Sequence, residues 1–141
     1  VFKLLSEQRG EFLVKSNLQG NNTIQAPKNG LYVDPQYTFS RVSHIATRSG
    51  DNLYLALLNK DAHQSVTVRI DIQDWRVTSA VEVNEVRADS YLAENTIQKP
   101  DTVTLASPKT EHMTTPQKMT YLLRRNTLAV LKFRRDKSGK D

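Results

Sequence analysis

Two short runs between residues 52 and 72 limit what this chain can become. In NLYLALLN, successive strand side chains alternate between faces, so Leu53, Leu55 and Leu57 point one way and Tyr54, Ala56 and Leu58 the other. Both faces are therefore apolar. In SVTVRIDI the alternation is cleaner: Val66, Val68, Ile70 and Ile72 share one face, while Thr67, Arg69, Asp71 and Gln73 share a wet one. The connection over residues 59–65 is polar and rich in turn-tolerant types, which predicts that the two runs pair as an antiparallel hairpin.

The rest of the chain repeats this grammar of short strands and turns. Val1, Leu4 and Leu5 stand at helical spacing, and Gly10 suits the left-handed position after a helix, so the opening reads as the last turns of one. Phe12 and Val14 against Leu13 give a short strand. Residues 20–36 form a long Asn, Gly and Pro loop with a short strand at residues 31–33, and residues 38–48 form another strand. Beyond a corner at Trp75, Val77, Val81 and Val83 share a face, and residues 84–101 are less regular. Val103 and Leu105 alternate, residues 108–116 are a polar loop, and two last strands flank the break at Arg124, Arg125 and Asn126. About eight short strands with one terminal helix predict an all-β fold, an antiparallel β-sandwich of jelly-roll type.

The 141 residues suit one domain with its own core. The chain starts at Val1 in what reads as the middle of a helix, which leads to the expectation of a fragment of a longer protein. We divide it into the end of a preceding domain's helix over 1–10, a β-sandwich over 11–135 and a flexible basic tail over 136–141. No apolar run is long enough to cross a bilayer as a helix, and no association with a membrane is expected. The absence of cysteine excludes disulfides and thiol chemistry and leaves the compartment open. The net charge of +5 raises the question of nucleic acid, but much of the excess sits in the final KFRRDKSGKD, so no nucleic-acid partner is expected. The rival basic-domain reading predicts heparin retention dependent on Arg134 and Arg135.

Chemistry-bearing patterns are scarce. His44, His63 and His112 have no second ligand at metal spacing, and no phosphate cradle, nucleophile elbow or dinucleotide fingerprint occurs, so neither metal nor cofactor is expected. Asn21, Asn22 and Thr23 fit a glycosylation pattern that we treat as coincidence. Glu82, Glu85, Glu94 and Glu111 are the carboxylates a glycosidase pair would draw on. Glu82 reads as a solvated charge, and the other three lie in segments without periodicity, so no catalytic residue is assigned. Tyr32, Tyr37 and Trp75 could stack on a sugar, although anchoring and packing are the preferred roles.

The run AENTIQKPDTV, with Asn95, Pro100 and Val103, resembles a segment of the C-terminal β-sandwich of α-L-arabinofuranosidases of glycoside hydrolase family fifty-one. LYLALLNKD over residues 53–61 and the alternating strand over 66–72 are similar to strands of that domain, and VFKLLSEQRGEFLV is similar to the last barrel helix and the chain leaving it. MTYLLRRNTLAVLKF looks like the closing pair of strands, with Arg124 and Arg125 where the family has prolines. The resemblance implies a non-catalytic sandwich packed on a (β/α)₈ barrel. The parent enzyme would release terminal α-L-arabinofuranosyl units from arabinan or arabinoxylan with retention. It also implies the barrel of the same parent as partner, subunit contacts and plant polysaccharide reached through that parent. The family's catalytic glutamates lie on the barrel and match no position here. The alternative is an independent carbohydrate-binding module, which needs an exposed planar set of aromatics such as Tyr32, Tyr37 and Trp75.

Overall fold

The computed structural model describes residues 1–25, 37–90 and 92–138, apart from the side chain of Phe2. In chain order it contains α1 (Phe2–Glu7), β1 (Phe12–Val14), β2 (Thr23–Gln25), β3 (Thr38–Ser40), β4 (Val42–Ser49) and β5 (Asn52–Asn59). There follow β6 (Val66–Asp71), β7 (Ala80–Arg87), β8 (Thr104–Leu105), β9 (Lys109–His112), β10 (Lys118–Leu123) and β11 (Thr127–Arg134). All strand pairs are antiparallel. The main sheet runs β1-β4-β5-β11-β7-β8, with β9 beside β8 along the same edge of β7. β10 and β6 form a two-stranded layer opposite it, and β2 and β3 form a small separate ribbon.

The sandwich core lies between the main sheet and the β6–β10 layer. Val68 and Ile70 of β6 and Met119, Tyr121 and Leu123 of β10 meet Leu57, Val81, Val83, Ala129, Leu131 and Phe133 from the main sheet. Each Val, Leu or Phe buried here contributes about 1.5–3 kcal/mol relative to leaving it in water. A second, smaller cluster forms on the other face of the main sheet, where Leu4 of α1 packs with Tyr54, Val86 and Val130. β5 thus buries Leu57 on one face and Tyr54 on the other while Leu58 stays exposed, and β6 shows the half-wet alternation expected of it.

The expected hairpin does not form. β5 takes β4 and β11 as its two neighbours, while β6 pairs with β10 in the opposite layer. An apolar strand wet on neither side belongs in the middle of a covered sheet, whereas β6, wet on one side, suits an outer layer. Residues 60–65 therefore arch from one layer to the other, and residues 124–126 make a parallel crossing from β10 to β11. Asn59, only 1% exposed, joins the arches: its amide reaches the carbonyls of Gln64 (2.9 Å), Leu123 (3.3 Å) and Arg124 (3.1 Å), and its Oδ1 accepts the Asp61 N–H. Asp61 in turn accepts the N–H groups of His63 and Gln64 and pairs with Arg41 at 3.1 Å.

Gly10 also has a different role from the one read in the sequence. α1 ends at Glu7 with Gln8 as its cap, and Gly10 takes no left-handed conformation. It lies against β4: a Cβ there would sit 2.3–2.5 Å from the backbone of Arg48. Its N–H donates to Thr47 Oγ1, and the next N–H, of Glu11, donates to Arg48 O.

Several other boundaries shift. The strand expected over 38–48 breaks at Arg41 into β3 and β4. β2 and β9 form where loops were expected, and β7 continues regularly through Glu85 to Arg87. Asp136 is tied down by its N–H to the carbonyl of Arg76. The strand expected at 31–33, and Tyr32 with it, lies outside the described residues.

Candidate functional site

Register decides which polar groups face the core. On β7, Val81, Val83 and Glu85 follow at intervals of two and share the inner face. Glu85 is therefore carried into the sandwich, opposite Ala129 of β11, and is 2% exposed. Tyr121, buried on β10 in the other layer, donates its hydroxyl to Glu85, and Arg87 pairs with the same carboxylate. Lys109 on β9 places its Nζ 3.5 Å from Glu85, 2.9 Å from Glu111 and 5.2 Å from the Tyr121 ring centroid. Glu85 and Glu111, which the sequence alone leaves unconnected, are thus joined through Lys109.

Burial alone would disfavour the Glu85 anion, but the hydrogen bonds from Tyr121 and Arg87 and the charges of Lys109 and Arg87 outweigh it. The carboxyl is held below the usual glutamate range. Burial and the neighbouring carboxylate push the Tyr121 phenol far up, so it stays a donor. A glycosidase acid needs the opposite, a raised pKa and open access to substrate. This cluster fastens the two layers together at one end of the sandwich. The signal for it was present in the phase of Glu85 with Val81 and Val83.

The remaining candidates are scattered. Glu82 lies on the outer face of β7, 3.8 Å from Lys132, and Glu94 is exposed in the loop before β8. His44 lines a groove, His63 sits in the first arch and His112 ends β9. Among the described residues no group of three or more His, Asp or Glu gathers as a metal site. No helix among them is long and apolar enough to cross a membrane. Asn95 has a clear structural role, since its side chain donates to Val103 O (2.9 Å) and accepts the Val103 N–H (2.6 Å), closing the loop between them like one rung of a ladder.

The aromatic residues fall on separate features. Trp75 lines a groove of about 760 Å³ between the inner edge of β4 and β5 and the free side of β6, with Arg135 stacked 5.5 Å from its ring centroid. Tyr37 stacks on Phe39 of the β2–β3 ribbon, ring centroids 6.4 Å apart, and does not line that groove.

A further surface feature is the outer face of the main sheet. Across four strands the register aligns Leu58, Leu128, Val86 and Leu105, with Ile45, Ala56 and Val130 in the next row. α1 covers the centre through Leu4. Around it Leu5, Leu13, Ile45, Leu58 and Leu105 remain exposed, Leu13 at 75% and Ile45 at 50%. Ser43, Thr47, Glu82, Asn84 and Lys132 share the same face and are interleaved with these apolar side chains.

Fold and surface together define an antiparallel β-sandwich whose buried polar groups close the sandwich and whose outer sheet face carries apolar residues that are only partly covered. Solved structures share this fold over nearly the whole chain. The α-L-arabinofuranosidase from Thermotoga maritima, in complex with arabinose, superposes with a TM-score of 0.73 at 19% identity, covering 93% of this chain and 27% of that one. The thermostable GH51 α-L-arabinofuranosidase from Thermotoga petrophila gives the same figures: 0.73, 19%, 93% and 27%. The GH51 arabinofuranosidase from Xanthomonas axonopodis pv. citri gives a TM-score of 0.60 at 24% identity over 73% of this chain and 21% of that one. No protein-family profile and no curated protein matches the chain. The chain thus has the fold of a β-sandwich portion of α-L-arabinofuranosidases and spans about a quarter of their length.

Proposed function

We propose that the chain is a non-catalytic C-terminal β-sandwich of an α-L-arabinofuranosidase, a retaining glycosidase that releases terminal arabinofuranosyl units from arabinan or arabinoxylan. It packs against the catalytic (β/α)₈ barrel of the parent enzyme and stabilises it, with further subunit contacts through that parent. On this reading residues 1–10 are the end of the barrel's last helix, 11–135 the sandwich and 136–141 a basic tail. The observation that carries it is the outer face of the main sheet, where Leu4 of α1 is already buried and Leu5, Leu13, Ile45, Leu58 and Leu105 surround it exposed. A chain that leaves a barrel through α1 is already seated on the surface that would meet the barrel.

The test is turnover of an aryl α-L-arabinofuranoside by the folded 141-residue chain. No hydrolysis is expected, and no saturable binding to arabinoxylan. Hydrolysis abolished by Glu85→Gln or Glu111→Gln would replace this reading with a catalytic one. A saturable arabinoxylan isotherm lost in Trp75→Ala would replace it with a binding module.

A further inference from the structure

Both arches and the end of β7 arrive at the same end of the sandwich, and between them lies a notch of about 260 Å³. We propose that this notch is a binding site for an oxyanion, the carboxylate or phosphate of a small ligand. It is independent of the barrel-facing surface, which occupies the outer sheet face.

Three arginines converge on the notch, Arg87 from β7 and Arg124 and Arg125 from the second arch, with Ser65 and Thr127 completing a polar wall. Asp89 is the one acid in the lining among the described residues. Arg87 is fixed in place because one terminal nitrogen is held by the buried Glu85 carboxylate. Its Nε is buried and has no hydrogen-bond partner among the described residues. The side chains of Arg124 and Arg125 are exposed and have no ion-pair partner among the described residues.

The backbone that carries them is held more firmly than two exposed arginines require. Asn126 takes a left-handed φ of 50° at the crossing. Thr127 Oγ1 donates to Arg125 O at 3.0 Å, and the Arg125 N–H reaches Ser65 Oγ at 3.4 Å. Asn59 holds the Arg124 carbonyl from below. A planar guanidinium with parallel N–H donors suits a carboxylate or phosphate, and a group bound between several of them is recognised by charge and by geometry together. The volume is below that of the clefts that enclose whole drug-sized ligands, so the notch fits one charged group rather than an oligosaccharide.

The test is titration of the nitrogen-15-labelled chain with inorganic phosphate, D-glucuronate and D-glucose in separate arms at matched ionic strength, read at the arginine Nε–Hε resonances. Saturable shifts of the Arg87 resonance are expected with an oxyanion and none with glucose. The Arg124→Gln/Arg125→Gln double variant should bind about tenfold or more weakly, since two charge-assisted contacts are lost. Arg69→Gln, on the outer side of β6 away from the notch, should bind as the parent does. Response to phosphate alone assigns a phosphorylated ligand, and response to glucuronate alone assigns a sugar carboxylate. No saturable shift with either anion, an equal response to glucose, or undiminished binding in the double variant overturns the proposal. Should the double variant not fold, Arg124→Gln and Arg125→Gln are titrated singly, and undiminished binding in both overturns it equally.

Discussion

At the scale of single residues, the sandwich is closed by polar side chains that point inward. Glu85 is the extreme case: a carboxylate 2% exposed, accepting from Tyr121 and paired with Arg87 and Lys109. Because its folded pKa is lowered from the ordinary glutamate value of 4.5, its contribution is fully present above that pH. The contribution is lost as pH falls through the lower folded value. Asp61, burial notwithstanding, is lowered by the N–H groups of His63 and Gln64 and by Arg41, and titrates with the same sign. Glu85→Gln keeps an acceptor for Tyr121 but removes the charge that Arg87 and Lys109 face, and should cost about 2–3 kcal/mol at pH 7. Urea unfolding at pH 7 and at pH 3 should show the difference between wild type and variant shrinking at the lower pH. A constant difference would mean that the charge of Glu85 contributes nothing. Asn59→Leu leaves the carbonyls of Gln64, Leu123 and Arg124 and the Asp61 N–H without their partner, and should cost about 3 kcal/mol or more by the same measurement.

At the scale of elements, the placement of α1 depends on one close approach. Gly10 lets the chain pass against the β4 backbone so that Leu4 reaches the outer sheet face and β1 pairs with β4. The obstacle to a Cβ is backbone, which cannot swing aside as a flexible side chain would. Gly10→Ala should therefore destabilise by about 1–3 kcal/mol and raise amide exchange over β1, whereas Gly20→Ser, where no atom lies within 4 Å, should act only through its φ of 103°. Periodicity made β6, β10 and β11 legible in the sequence, since each buries an alternating set, and β5 was legible from its unbroken apolar run. It did not reveal their pairing, because an arch and a hairpin use the same polar, turn-tolerant residues; what separates them is Asn59 bonding across to residues 123 and 124. β2 and β9 were illegible because neither buries an alternating face: their exposure patterns are those of edge pieces. Glu85 escapes a reading of the sequence because a charged residue in phase with valines looks like the end of a strand instead of an inward carboxylate.

At the scale of the whole molecule, the two sides of the main sheet differ. The inner side is covered by the β6–β10 layer where Val81, Val83, Ala129, Leu131 and Phe133 are fully buried, and opens beside β4 and β5 into the groove at Trp75. At the centre of the outer side Leu4 of α1 and Val103 pack with the buried Val86 and Val130, while Ile45 and Leu58 in the same rows are exposed. A buried apolar residue of this sheet and an exposed one respond differently to charge. Replacing a buried member such as Val130, 0% exposed, by Lys should unfold the protein, since the ammonium would be taken out of water. Replacing exposed members leaves the inner core untouched, so Ile45→Lys with Leu58→Lys should change unfolding free energy by no more than about 0.5 kcal/mol per site. The same double variant should abolish concentration-dependent association of the isolated chain, which the wild type should show because the patch is uncovered. Sedimentation at rising concentration, beside thermal unfolding of both proteins, decides the matter. A wild type that stays monomeric and is indifferent to the two lysines would make the outer face ordinary solvent-facing surface and remove the observation on which the barrel-packing role rests.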